Sequence, residues 1–208
     1  MNDDRLGRVL DDLYQKGTTS FFLQVALQAV KQFEIDIYQR HLDATSLSVK
    51  GEYRTSSEAA SDVVPELELP NETSAEPTPI RLCQGYSRDH RPDLKQFLIT
   101  LVCAADGGVP LWLKVASGNE HDAQQFAAVM KAFGEQWSSE GIFVMDAAFY
   151  NEANLQQVGS MEWPSRVPLT LKAAQDLVHG DVTILVEVPC DRKDYRMWEV
   201  ESTYGGVP

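Results

Sequence analysis

Two aspartates sit where strand-like segments could present them for chemistry. Asp43 lies inside His41 to Val49 (HLDATSLSV), and Asp146 follows directly on the apolar run Ile142 to Met145 (IFVM). If those two strands lie side by side in one sheet, the carboxylates meet at one end. Two carboxylates held that close repel each other unless a cation sits between them. Ligation by oxygen alone suits Mg²⁺ or Mn²⁺, and paired ions of that kind clamp the attacking and leaving oxygens of a phosphoryl transfer. Each aspartate also has a plainer reading. A carboxylate at a strand end commonly caps the turn or helix that follows, and one inside a strand, if buried, must find partners. Residue type and spacing leave both readings open.

Other polar residues invite similar questions. Arg81, Arg88, His90, Arg91 and Lys95 form a basic cluster just before an apolar run. Such a cluster can contact a phosphate backbone, or it can be a solvated loop whose charges pair with Asp89 and Asp93. His121 beside Asp122 could ligate a metal, although helix starts use these residue types routinely. His41 and His90 are equally ambiguous. Cys83, Cys103 and Cys190 are odd in number and lack C-x-x-C spacing, which indicates neither a disulfide framework nor a thiolate zinc site. They read as buried apolar side chains, and Trp112 and Trp163 read as packing rather than base-stacking residues.

The elements that must position these groups can be read from periodicity. Leu6, Val9, Leu10, Leu13 and Tyr14 form the stripe of an amphipathic helix ending at Gly17. Thr18 or Thr19 can cap a second helix with apolar positions Phe22, Val25, Ala26, Ala29, Val30 and Phe33. The strand carrying Asp43 follows. Residues 51–79 mix Ser, Thr, Glu and Pro without period and read as a flexible loop, more a tolerated insertion than a core element. Phe97 to Ala104 and Val109 to Ala116, joined at Asp106-Gly107-Gly108, predict a β-hairpin. A capping box at Asp122 and Gln125 opens a helix that buries Phe126, Val129, Met130 and Phe133. After Asp146, Asn151 is placed to cap a helix through Leu155 and Val158 that closes near Gly159. Pro168 to Leu171 reads as a further short strand, and the run from Asp181 (DVTILVEVP) as new strand structure.

Composition sets limits. With 208 residues, 43% apolar and 24% charged, the chain suits one compact domain. A net charge of -13 argues against a protein that coats DNA unaided, because nonspecific affinity comes from Lys and Arg neutralising phosphates. Part of the acidity is local, since residues 51–79 hold seven carboxylates against the single Arg54. No stretch approaches a membrane span, the N-terminus has no signal-peptide character, and the cytoplasm is the expected compartment.

Five blocks, taken in order, narrow the choice. HLDATSLSVKGEY (41–53), GYSRDHRPDLKQF (85–97), SGNEHD (117–122), VMDAAFYNEANL (144–155) and VPLTLKAA (167–174) resemble the successive blocks of DDE transposases of bacterial insertion sequences, in the group with a Tyr-Arg-Glu-Lys signature. The resemblance implies an α/β, ribonuclease-H-like mixed sheet flanked by helices. It makes Asp43 and Asp146 the first two catalytic, metal-binding aspartates, with Mg²⁺ or Mn²⁺ as cofactor. It also implies DNA as partner, both element ends and target, and a homo-oligomer in the intact enzyme. The expected organisation is a helical segment over 1–37, a catalytic core over 38–180 and the start of a β insertion over 181–208.

One feature departs from the family. Its third catalytic residue is a glutamate on a helix beyond a largely β insertion. Here Glu187 lies in a strand-like run, while Glu199 and Glu201 sit in DYRMWEVESTYGGVP, which resembles the start of that insertion. The expectation is a truncated or decayed copy, inactive on its own. Two rivals remain: a metal-dependent nuclease on the same fold, and a non-catalytic remnant that binds DNA or a full-length transposase.

Overall fold

A computed structural model describes residues 3–51, 53, 79–86, 90–120, 122–137, 140–180, 186–191, 194–201 and 203, and the chain divides into two units, Met1–Asp122 and Ala123–Pro208. Most of the expected 51–79 loop, together with Arg88 and His121, lies outside the described residues.

The first unit opens on two helices, α1 (Asp3–Gln15) and α2 (Thr18–Phe33). Both helices form where the periodicity predicts, but α2 buries Leu23 and Ala26 while Val25 and Phe33 of its expected stripe are exposed, and its start is not capped as expected. Gly17 occupies the cap position at φ 84°, and no side chain bonds there. The Thr19 hydroxyl instead donates to the Leu113 carbonyl at 2.9 Å. A long-range partner has taken the group that local reasoning assigned to the cap. Through that bond and the buried Leu23 and Ala26, α2 packs on strand β3 (Pro110–Ser117).

Strands β1 (Gln39–Val49), β2 (Lys95–Ala104) and β3 form an antiparallel meander. The β2–β3 turn contains Gly107 and Gly108 at φ 68° and 63°, a left-handed conformation that glycine adopts without steric cost. Alternation along β1 is strict: Arg40, Leu42, Ala44 and Ser46 are buried, while His41, Asp43, Thr45 and Leu47 are exposed. Buried Leu42 and Ala44 sit opposite Val102 and Thr100, so one face of the meander is closed. Arg40 is drawn into that face, its Nε donating to the Ile37 carbonyl at 2.7 Å. Burial pushes its pKa down from the usual guanidinium value.

The second unit holds almost all of α3 (Asp122–Gln136), then β4 (Ile142–Met145), α4 (Glu152–Val158), α5 (Lys172–His179) and the hairpin β5 (Val186–Val188) with β6 (Met197–Glu199). The expected capping of α3 rests on side chains outside the described residues. Its predicted apolar positions Phe126, Val129, Met130 and Phe133 are all buried. Phe133 stacks on Trp137 at 5.4 Å and meets Phe143 of β4 edge-on at 5.5 Å. The structure overturns one expected element: Pro168 to Leu171 is a turn, not a strand, with the Leu171 amide donating to the Pro168 carbonyl at 3.0 Å. Proline has no N–H to give a ladder, and this turn leads straight into α5. Among the described residues no helix is long and apolar enough to cross a membrane.

Candidate functional site: two aspartates and a clasped basic segment

Asp43 sits at the middle of β1, opposite Leu101, with Leu113 next across the meander. Because side chains alternate along a strand, it shares its face with His41 and Thr45, two residues to either side. That face is half-exposed and otherwise largely apolar, formed by Ile99, Leu101, Leu113 and Val115. The Asp43 carboxylate is exposed. One oxygen, Oδ1, accepts from the Ala44 amide at 2.8 Å, so the group is not consumed by a buried network. The worry that a strand aspartate needs buried partners therefore does not arise.

Asp146 belongs to the second unit and follows the last residue of β4. Its Oδ1 accepts from the Ala148 amide at 2.9 Å, an Asx turn of the kind that re-aims a chain leaving a strand. Its carbonyl accepts from the Ser165 hydroxyl at 2.7 Å, and Ser165 also bridges Met145 in parallel. This carboxylate too is exposed. The plainer reading of Asp146 as a turn residue is thus satisfied by one oxygen, while Oδ1 and Oδ2 both remain hard oxygen donors of the kind Mg²⁺ and Mn²⁺ take. Among the described residues no three His, Cys, Asp or Glu side chains gather as a metal-holding cluster.

The turn after Asp146 is held from below. Asn151 caps α4, its Oδ1 accepting from the Asn154 amide at 3.0 Å. Its Nδ2 donates to the carbonyls of Ala148 and Phe149, each at 3.2 Å. Fully buried Asn154 adds a bond from Nδ2 to the Phe149 carbonyl at 3.1 Å. Trp163 packs edge-on against Phe149 at 4.9 Å, a packing role as expected. We expect Asn151→Ala to cost about 0.5–2 kcal/mol, the usual range for losing a side-chain cap, as read by denaturant unfolding. A loss below about 0.3 kcal/mol would mean the turn is held without it.

The basic cluster is only partly available. Arg91 forms a two-pronged pair with Asp93 at 2.8 and 2.7 Å, which holds the Asp93 carboxyl below its ordinary pKa. The Lys95 ammonium donates to the Tyr53 carbonyl at 2.6 Å. His90 is exposed at φ 55°. Arg81 is half-buried, and its amide donates to the Ser117 hydroxyl at 3.1 Å. Arg91 thus pairs with one of the two carboxylates foreseen for the cluster.

Sequence reasoning missed what fastens this segment. Cys83 and Gln96 exchange backbone hydrogen bonds at 2.9 and 3.4 Å, and the Gly118 amide donates to the Arg81 carbonyl at 3.1 Å. The buried Gln96 side chain donates from Nε2 to the carbonyls of Gly118 at 2.8 Å and Tyr86 at 3.1 Å. A Cβ on Gly85 would lie 1.9 Å from the Gly118 oxygen, and one on Gly118 would lie 2.1 Å from the Gln96 oxygen. Two of the five sequence blocks therefore meet in one backbone clasp. The only sequence signal was the glycines themselves, in 85–97 and in Ser117-Gly118-Asn119. The cysteines are free and half-buried rather than fully buried, and burial raises the Cys103 thiol pKa.

A sequence model of the family described as "Transposase DDE domain" matches residues 38–199. No curated protein matches the chain. Among solved structures, a Mos1 transposase paired-end complex with the left transposon end is 10% identical over 79% of this chain and 42% of that one, with a TM-score of 0.34. The Mos1 mariner paired-end complex with Mn is 10% identical over 81% and 43%, with a TM-score of 0.35. The chain spans less than half the length of either.

Proposed function

The chain belongs to the transposase DDE domain family, and we propose that it serves DNA transposition, with Asp43 and Asp146 together holding a divalent cation at a ribonuclease-H-like active site. What carries the reading is the matched span. Residues 38–199 begin at the foot of β1 and contain both aspartates, each exposed and each placed by a regular strand. The cation, Mg²⁺ or Mn²⁺, would supply charge stabilisation at the reacting phosphate. Asp43 presents its carboxylate from a rigid strand centre. Asp146 presents its own from a turn that Asn151 and Asn154 hold in place. Arg81, His90, Arg91 and Lys95, with Arg88, contact the phosphate backbone of element ends or target DNA and fix its register. The reaction such a site serves nicks a strand and directs the freed 3′-hydroxyl onto a target, and the proposed setting is the cytoplasm.

By itself the chain is proposed to bind metal and nick feebly, without joining, because only two carboxylates are assigned to the site. Supercoiled plasmid carrying the element's ends, incubated with the purified chain and Mn²⁺, should show slow nicking and no joined product. Efficient joining would mean that a third acid is already present, Glu187, Glu199 or Glu201 being the candidates. Rapid cutting with no joining under any condition would favour a nuclease, and DNA binding with no metal-dependent cutting a non-catalytic remnant.

A further inference from the structure

The helix α1 has no buried residue, although its sequence is strongly amphipathic. Leu6, Val9 and Leu10 are 42%, 50% and 56% exposed, a contiguous stripe left facing solvent. An apolar helix face gains little by standing in water, and what could cover it is constrained by the charges at its border. At 100° per residue, Arg5 and Asp12, seven apart, fall on the same flank of the stripe, the flank beside Val9. When two helices pair in antiparallel fashion about a two-fold axis, like flanks face each other. Arg5 of each copy then meets Asp12 of the other, while Leu6 of each packs against Val9 of the other. A parallel pair would instead set Arg5 against Leu10 and form no ion pair. The border charges are therefore self-complementary in one arrangement and not in the other.

We propose that α1 is a homotypic docking surface, pairing antiparallel with α1 of a second copy of this chain through Leu6, Val9 and Leu10, with Arg5 and Asp12 fixing direction and register. The surface is isologous, as a closed dimer requires. A 13-residue helix is about 20 Å long, so the strip it offers falls well short of the roughly 800 Å² per partner of a stable interface. The pairing is accordingly weak, with a Kd on the order of 100 µM. It does not rest on the proposed chemistry, and its test reads mass rather than cleavage.

The test is sedimentation equilibrium of the full chain and three variants, from about 10 µM to about 500 µM so as to bracket that Kd. The wild-type chain should shift from monomer towards dimer across that range. Leu6→Asp should remain monomeric. Arg5→Glu and Asp12→Lys each place like charges at both symmetric positions, and each should weaken self-association on the order of tenfold. Mixed one to one, those two variants restore opposite charges at both positions, and the mixture should associate at least as well as the wild type. All these residues are exposed, so circular dichroism should show an unchanged fold. A chain monomeric at every concentration overturns the proposal. So does a dimer indifferent to Leu6→Asp, or a charge-reversed mixture no better than its components, since another occupant or another surface would then be responsible.

Discussion

A chain carrying Gly118→Ala is expected to be destabilised by about 3 kcal/mol or more, at the upper end of what overpacking costs. The added methyl would stand 2.1 Å from the Gln96 carbonyl oxygen and 2.6 Å from that of Cys83. Both obstacles are backbone, so no rotamer change can relieve the clash. Something must move, and whatever moves breaks the Gly118-to-Arg81 hydrogen bond or the Gln96 side-chain bridge. Either break leaves groups unsatisfied around a Gln96 that is only 2% exposed, which adds a desolvation penalty to the steric one. For a chain of this size the melting temperature should fall by roughly 6–12 °C. Gly134→Ala in α3 is the control. A Cβ there meets nothing within 4 Å, and the substitution should stabilise by about 0.5–1 kcal/mol through helix propensity. If Gly118→Ala melts within about 2 °C of the wild type, the clasp between residues 81–86 and 118 is not closed in solution as described.

The clasp also marks where sequence reasoning stops. Elements whose cause is local were legible: the helices α1 and α2, the β2–β3 hairpin with its paired glycines, and Asn151 three residues before the amide it caps. Each needs only a period or a turn preference within a few residues. The errors fall where a distant partner decides. Thr19 forsakes the helix cap for a carbonyl 94 positions away. Gln96 reads as one polar residue at the edge of an apolar strand, until Tyr86 and Gly118 are seen on either side of it. Pro168 to Leu171 had the composition of a strand, but among the described residues no strand takes up its backbone, and its turn leads into α5. The strands that place the two aspartates were legible. Strict alternation along β1, with Leu42 and Ala44 turned inward, would have told that Asp43 is exposed, an inference available from the sequence and not drawn from it.

The metal site proposed for Asp43 and Asp146 yields the other large expected effect. Asp43→Asn and Asp146→Asn should each weaken Mn²⁺ binding by at least about tenfold, as followed by the loss of free Mn²⁺ signal in electron paramagnetic resonance. The amide keeps the size of the carboxylate and one oxygen, so the Ala44 and Ala148 amides retain an acceptor and the fold should be untouched. Only the charge is removed, and carboxylates that share a cation need it to offset their repulsion as much as the cation needs them. If the two act as one unit, the effects are not additive. Either single substitution should bring Mn²⁺-dependent nicking down to the level seen without metal, and the double variant should fall no further. Independent sites would behave otherwise: each single variant would retain part of the binding, and the losses would sum in the double. A single variant that binds Mn²⁺ as tightly as the wild type would remove that aspartate from the site. Loss at Asp146 alone would leave Asp43 as a surface residue on β1, and the family resemblance would then describe ancestry without a working metal pair.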